Sequence, residues 1–235
     1  MRKINILGLN LQDHTLREKM RLAESYLRGG ALNTVACVSA KMLMRAGEDA
    51  QQKEWLEAMD VIVYCDRDIL DAAGITSYNR LREVENNSFL KEFCKKIARE
   101  KRIVYLLADT DEAMELLELF LSQQEPALAS PVGKSVLGSE ETESGTDAVI
   151  NEINDKAPDV ILSFMAYPQQ EAFVFCNKNR INADLWLGLQ RENLLPCEEN
   201  KGRWALTKGL SKKIFLRKIF QRKVQRYENQ EKAEQ

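Results

Sequence analysis

The chain has 235 residues, 44% hydrophobic and 30% charged, with a formal net charge of −2. This length and composition suit a folded domain with a substantial core and exclude disorder for most of the chain. No run approaches the roughly 18 consecutive apolar residues of a membrane span, and Met1 to Leu7 is too short for a signal-peptide core, so a cytoplasmic location is expected.

Ile4 to Leu11 reads as an opening strand with a kink at Gly8, and Thr15 as the N-cap of a helix through Arg28, closed by Gly29-Gly30. A strand from Thr34 to Val38 is followed by a helix capped by Ser39, and the Glu54 to Met59 segment leads into a strand at Val61 to Tyr64. The alternation continues through a helix at Phe89 to Glu100, a strand at Ile103 to Leu107 and a helix at Asp111 to Ser122. It predicts an α/β fold, a parallel sheet with flanking helices. Residues 124–146, rich in Pro, Gly, Ser and Glu, interrupt the rhythm as a flexible crossover loop with room for one edge strand. A helix at Asp147 to Asn154, a strand at Val160 to Met165, a helix at Gln170 to Asn179 and a short strand near Leu185 to Leu189 complete the domain, assigned to residues 1–196.

Residues 197–235 read as a basic appendage. Of the 34 Lys and Arg residues, ten lie between Lys201 and Arg226, a stretch without Asp or Glu, so 24 basic side chains face 36 acidic ones in the remainder. Leu216, Phe220, Val224 and Tyr227 form an apolar stripe on a helix expected from Ser211 to Tyr227, with Lys218 and Arg222 away from it. Two roles fit equally: docking on the domain, or attachment to an anionic membrane surface. No binding motif or aromatic interleaving favours nucleic acid.

The chemistry-bearing positions are few. The apolar run Val160 to Ala166 ends at Pro168-Gln169-Gln170-Glu171, and a polar turn at the carboxyl end of a core strand is where open α/β sheets hold ligands. The five cysteines, Cys37, Cys65, Cys94, Cys176 and Cys197, lack Cys-x-x-Cys spacing and are read as free thiols. Cys37 and Cys65 fall at strand ends, where close thiols could bind metal or form a redox pair, although buried cysteine is more commonly a small hydrophobe. His14, the one histidine, is read as a surface residue.

These residues, taken in order and spacing, resemble the WecG/TagA/CpsF glycosyltransferases of bacterial surface-polymer synthesis. Ile6-Leu7-Gly8 matches the family's opening strand and Gly, and Ala166, Pro168, Gln170 and Glu171 fall on its Gly-x-Pro-x-Gln-Glu turn, with only the Gly lost. The Thr-x-Asn positions fall on Cys37 and Ser39, the Asp-Gly turn on Cys65 and Asp66, and the Arg-x-x-Gly-x-Asp stretch on Glu83, Asn86 and Ser88. The Gly-Gly positions fall on Ala108 and Asp109, and Arg203-Trp204 with Gly209-Leu210 resembles the start of the family's appendage.

The resemblance implies a Rossmann-like fold and transfer, with inversion, of an N-acetylhexosamine resembling N-acetylmannosamine from a UDP-sugar to a polyprenyl-diphosphate-linked acceptor, without a required metal or further cofactor. It places the catalytic base at Cys65, where a thiol is a poor standing base at neutral pH; Asp66, next in the chain, takes the role or belongs to a solvated turn. Gln170, Glu171, Ser39, Cys37 and Cys65 would bind substrate, with Gln170 and Glu171 equally explained as first-turn helix residues. Asp109 would bring negative charge near the donor phosphates. The resemblance also implies peripheral association with the inner face of the membrane and self-association into a homo-oligomer. With most polar motif positions substituted, an inactive family member acting as a binding or regulatory partner in polysaccharide assembly is the rival reading.

Overall fold

A computed structural model describes residues 2–138, 143–194 and 203–233. The single kinked strand expected at the start is instead an antiparallel hairpin, β1 (Arg2–Ile6) and β2 (Leu9–Asp13). Leu7 (φ 55°) and Gly8 (φ 77°) form its two-residue turn, both in the left-handed region that such a connection requires. The alternating apolar residues Ile4, Ile6, Leu9 and Leu11 then all face the core.

Helix α1 (Leu16–Tyr26) starts at a capping box, with Thr15 Oγ1 accepting from Glu18 N and Glu18 accepting from Thr15 N. There follow β3 (Asn33–Val38), α2 (Ala40–Ala46), α3 (Ala50–Glu57), β4 (Val61–Tyr64), α4 (Arg67–Ala72), α5 (Tyr78–Glu85) and α6 (Ser88–Arg99). The second half runs β5 (Val104–Ala108), α7 (Asp111–Gln124), β6 (Gly133–Val136), α8 (Glu143–Lys156), β7 (Val160–Phe164), α9 (Gln169–Asn177), β8 (Leu185–Gly188) and α10 (Arg191–Leu194). The Asp66 to Asp68 segment, read as a solvated turn, opens α4, and the crossover loop does contain an edge strand, β6.

The six parallel strands lie in the order β4-β3-β8-β7-β5-β6. Helices cover both faces, which explains the continuous apolar runs in the inner strands. Val35 and Cys37 join the core under α1, α6 and α7, whereas Ala36 and Val38 join the core under the hairpin, α2 and α4. The pleat therefore divides β3 cleanly between two layers.

The last helix, α11 (Arg203–Ala233), docks on the domain. Phe220 is fully buried and Val224 nearly so, packed with the hairpin and α2, while Leu216 remains 37% exposed. Arg217 pairs with Asp68 at 3.0 Å, and Lys223 pairs with Glu48. The centre of the apolar stripe is thus buried by the protein itself, and the start of the appendage expected at Arg203-Trp204 and Gly209-Leu210 involves side chains outside those described. Among the described residues, no helix is long and apolar enough to cross a membrane.

Candidate active site

The carboxyl edge of the sheet gathers the expected site residues into two groups. At the β3/β4 side, Ser39 Oγ accepts from Met42 N at 3.4 Å and Asp66 Oδ2 accepts from Ala40 N at 2.7 Å. Both side chains therefore meet at the first turn of α2. Cys37 is buried at the end of β3, and Cys65, partly exposed just beyond β4, stays alongside it because Cys65 N donates to Val38 O at 2.9 Å. The neighbouring Cys37 thiol, followed by burial, pushes the Cys65 thiol well up from its ordinary pKa. A standing thiolate base at Cys65 is accordingly disfavoured.

At the β7 side, Gln170 and Glu171 are each 1% exposed. Gln170 Oε1 accepts from Ser163 Oγ at 3.0 Å and Met165 N at 3.2 Å, while its Nε2 donates to Leu189 O at 3.4 Å. The amide clamps the end of β7 to the end of β8, and it lies against Gly188, where an added Cβ would stand 2.6 Å from Nε2. Glu171 Oε1 accepts from Gln170 Nε2 at 3.4 Å, and its Oε2 is buried without a partner among the described residues. Burial raises this carboxyl to a pKa of about 7. Asp109, expected to bring negative charge toward donor phosphates, accepts from Ala166 N at 2.7 Å and so ties the end of β5 to that of β7.

The two groups share an edge and are joined through the end of β8. Gln170 holds Leu189 O, the next amide, Gln190 N, donates to Asn193 Oδ1 at 2.9 Å, and the Cys65 thiol donates to the same oxygen at 3.4 Å. Asn193 Nδ2 in turn donates to Asn87 Oδ1 at 3.3 Å, at the start of α6.

A further cluster beside this chain was not anticipated from the sequence. Arg80 pairs with Asp13 at 2.5 Å and with Glu83, so the guanidinium stands one helical turn before the position where an Arg was expected. Lys19, 4% exposed, lies over the Tyr64 ring at 5.7 Å, and burial lowers its pKa to about 8. A cavity of about 10 Å³, room for one water, opens beside Lys19, Tyr64, Glu83 and Asn87. An open groove of about 790 Å³ continues from Leu16 and Glu83 along α1 and α6. The available signal was Lys19 itself, a cation in register with the core-facing Ala23 of α1. His14 is also buried rather than superficial; its Nδ1 has no partner among the described residues, and burial lowers its pKa.

A sequence model described as the Glycosyl transferase WecG/TagA/CpsF family matches residues 4–190, spanning every strand of the sheet and the edge just described as far as Gln190. The chain belongs to this family. Among similar proteins are the N-acetylglucosaminyldiphosphoundecaprenol N-acetyl-beta-D-mannosaminyltransferases of Staphylococcus aureus strains NCTC 8325 / PS 47 and COL. Each is 21% identical over 193 residues, covering 80% of this chain and 72% of the relative. Pro168, Gln170 and Glu171, expected on a motif of the WecG/TagA/CpsF family, follow β7 at the carboxyl edge of the sheet.

Proposed function

We propose that this chain transfers an N-acetylhexosamine, of the N-acetylmannosamine type, from a UDP-sugar to a polyprenyl-diphosphate-linked acceptor in surface-polymer synthesis. The observation that carries this reading is the family match over residues 4–190 together with the retained β7 turn. In this reading the acceptor hydroxyl approaches the β3/β4 side, where Asp66 takes its proton and the partly exposed Cys65 meets the acceptor above the buried Ser39 and Cys37. Gln170 and Glu171 hold the β7 and β8 ends that border the donor, and the leaving diphosphate is met by cations at the mouth of the site.

The chain would work at the inner face of the membrane, held by Lys218, Arg222 and Arg226. These exposed cations recur every fourth residue along α11 and have no ion-pair partner among the described residues. Each contributes about 1 kcal/mol near an anionic surface. Sedimentation with anionic liposomes tests this: the triple Lys218→Glu, Arg222→Glu, Arg226→Glu variant should stay in solution, and equal pelleting would sink the membrane role.

One observation favours the rival reading of an inactive binding partner. Asp66 and Asp109 are both engaged in capping backbone amides, while the expected base position is a protonated thiol. The deciding experiment supplies UDP-N-acetylmannosamine and a polyprenyl-diphosphate-linked N-acetylglucosamine and follows UDP release. Turnover that falls about a hundredfold in Asp66→Asn supports the enzyme with Asp66 as base. Turnover unchanged in that variant removes Asp66 from the role, and absence of UDP release by the unsubstituted chain favours the inactive partner.

A further inference from the structure

We propose that the groove between α1 and α6 is a binding site for a soluble, linear anion carrying several phosphate groups. The groove holds about 790 Å³, within the usual range for small-molecule sites, and exposed cations stand on both walls: Arg17 and Arg21 on α1, Lys95 and Arg99 on α6. None of the four makes an ion pair among the described residues. They stand on a domain that is otherwise acidic, with 24 basic side chains against 36 acidic ones outside residues 201–226.

Two contacts set the register of the walls. Leu16 shares a small cavity with Phe89 and Leu90, and Lys96 pairs with Glu24 at 3.4 Å, so α1 and α6 run side by side in the same direction. Counted from the level of Glu24 and Lys96 at about 1.5 Å per residue, Arg17 and Arg21 stand about 10 and 5 Å up the groove, Lys95 about 2 Å up and Arg99 about 5 Å down. The cations therefore form a line about 15 Å long. A compact anion meets one or two of them, whereas a chain of linked phosphates meets them in succession, each later contact being intramolecular. Three of the four are guanidinium groups, whose planar forks suit phosphate oxygens.

The carboxylates of the lining do not cancel this line. Glu24 is held by Arg28 at 2.8 Å and by Lys96, and Glu83 is held by Arg80. Of the three lining carboxylates only Glu92 has no ion pair among the described residues, so four cations of that kind stand against one anion. Position separates the groove from a membrane surface. Helices α1 and α6 cover the Val35 and Cys37 side of the sheet, whereas α11 packs on the opposite side with the hairpin and α2. A flat surface engaged by α11 does not reach the other layer, and the ligand therefore comes from solution.

The test titrates the full chain with sodium tripolyphosphate at low ionic strength in phosphate-free buffer, followed by calorimetry. One-site binding is expected, about tenfold tighter than for orthophosphate and weakened about tenfold in the double variant Arg21→Gln, Lys95→Gln. Melting curves establish that the variant is folded, and Arg17→Gln with Arg99→Gln, at the outer positions, serves if it is not. Saturating UDP should leave the tripolyphosphate isotherm unchanged, which separates this site from any nucleotide site at the sheet edge. Pentaglutamate should bind about tenfold more weakly than tripolyphosphate, and phosphatidylglycerol vesicles should pellet the double variant and the unsubstituted chain alike. The proposal is overturned by absence of tripolyphosphate binding, by unchanged affinity in the folded variant, by displacement with UDP, by equal affinity for pentaglutamate, or by vesicle binding that is lost with the groove cations.

Discussion

Glu171 should make this protein less stable as pH rises through neutrality, and the size of the effect can be worked from its surroundings. The carboxyl is 1% exposed, it accepts from Gln170 Nε2 at 3.4 Å and from its own backbone amide, and its Oε2 has no partner among the described residues. Its pKa in the folded chain is about 7, against an ordinary 4.5. Between those values the folded state keeps a proton that the unfolded state has lost, so unfolding free energy declines with increasing pH. A shift of that size corresponds to about 3 kcal/mol at 1.36 kcal/mol per pH unit. Glu171→Gln keeps the shape and removes the titration. Urea unfolding at a series of pH values should therefore show the variant gaining about 3 kcal/mol on the unsubstituted protein between pH 4.5 and about 7.5. A difference that does not change with pH would refute the placement of an ionisable, uncompensated carboxyl in this core.

Two packing predictions accompany it. Gly188→Ala puts a methyl group 2.6 Å from Gln170 Nε2 and must displace the clamp between β7 and β8, at a cost of about 1–3 kcal/mol by chemical denaturation; a neutral result would mean that the amide is free to move. Phe220→Ala removes a fully buried ring from the seam between α11 and the hairpin and should cost about 3–5 kcal/mol, with protease cleavage appearing first in α11. Unchanged stability and protection would show that the helix does not dock there.

The parallel sheet was legible because its inner strands are short apolar runs separated by capped helices, and Thr15 and Ser39 mark helix starts by ordinary side-chain capping. The hairpin was missed because Leu7 adopts a left-handed conformation that its residue type does not advertise. The Asp66 to Asp68 charges suggested a turn, yet Ile69 and Leu70 are fully buried and hold the following helix against β4, a tertiary contact that outweighs local polarity. In the site, the positions were readable from the family spacing, whereas the partners were not. Nothing local shows that Asp66 reaches Ala40, that Asp109 reaches Ala166, or that Arg80 reaches Asp13. Those encounters depend on strand order, which places β8, last in sequence, between β3 and β7.

Family membership establishes descent, and use of a nucleotide-sugar donor is the step that most needs measurement. Isothermal titration of the full chain with UDP asks the question whatever the sugar or the acceptor. A saturable one-site isotherm, weakened at least tenfold by Gly188→Ala in a protein still folded at the working temperature, is the result expected if the clamped β7/β8 edge borders the donor. No heat of binding at millimolar UDP would contradict the glycosyltransferase reading and leave the inactive partner in its place.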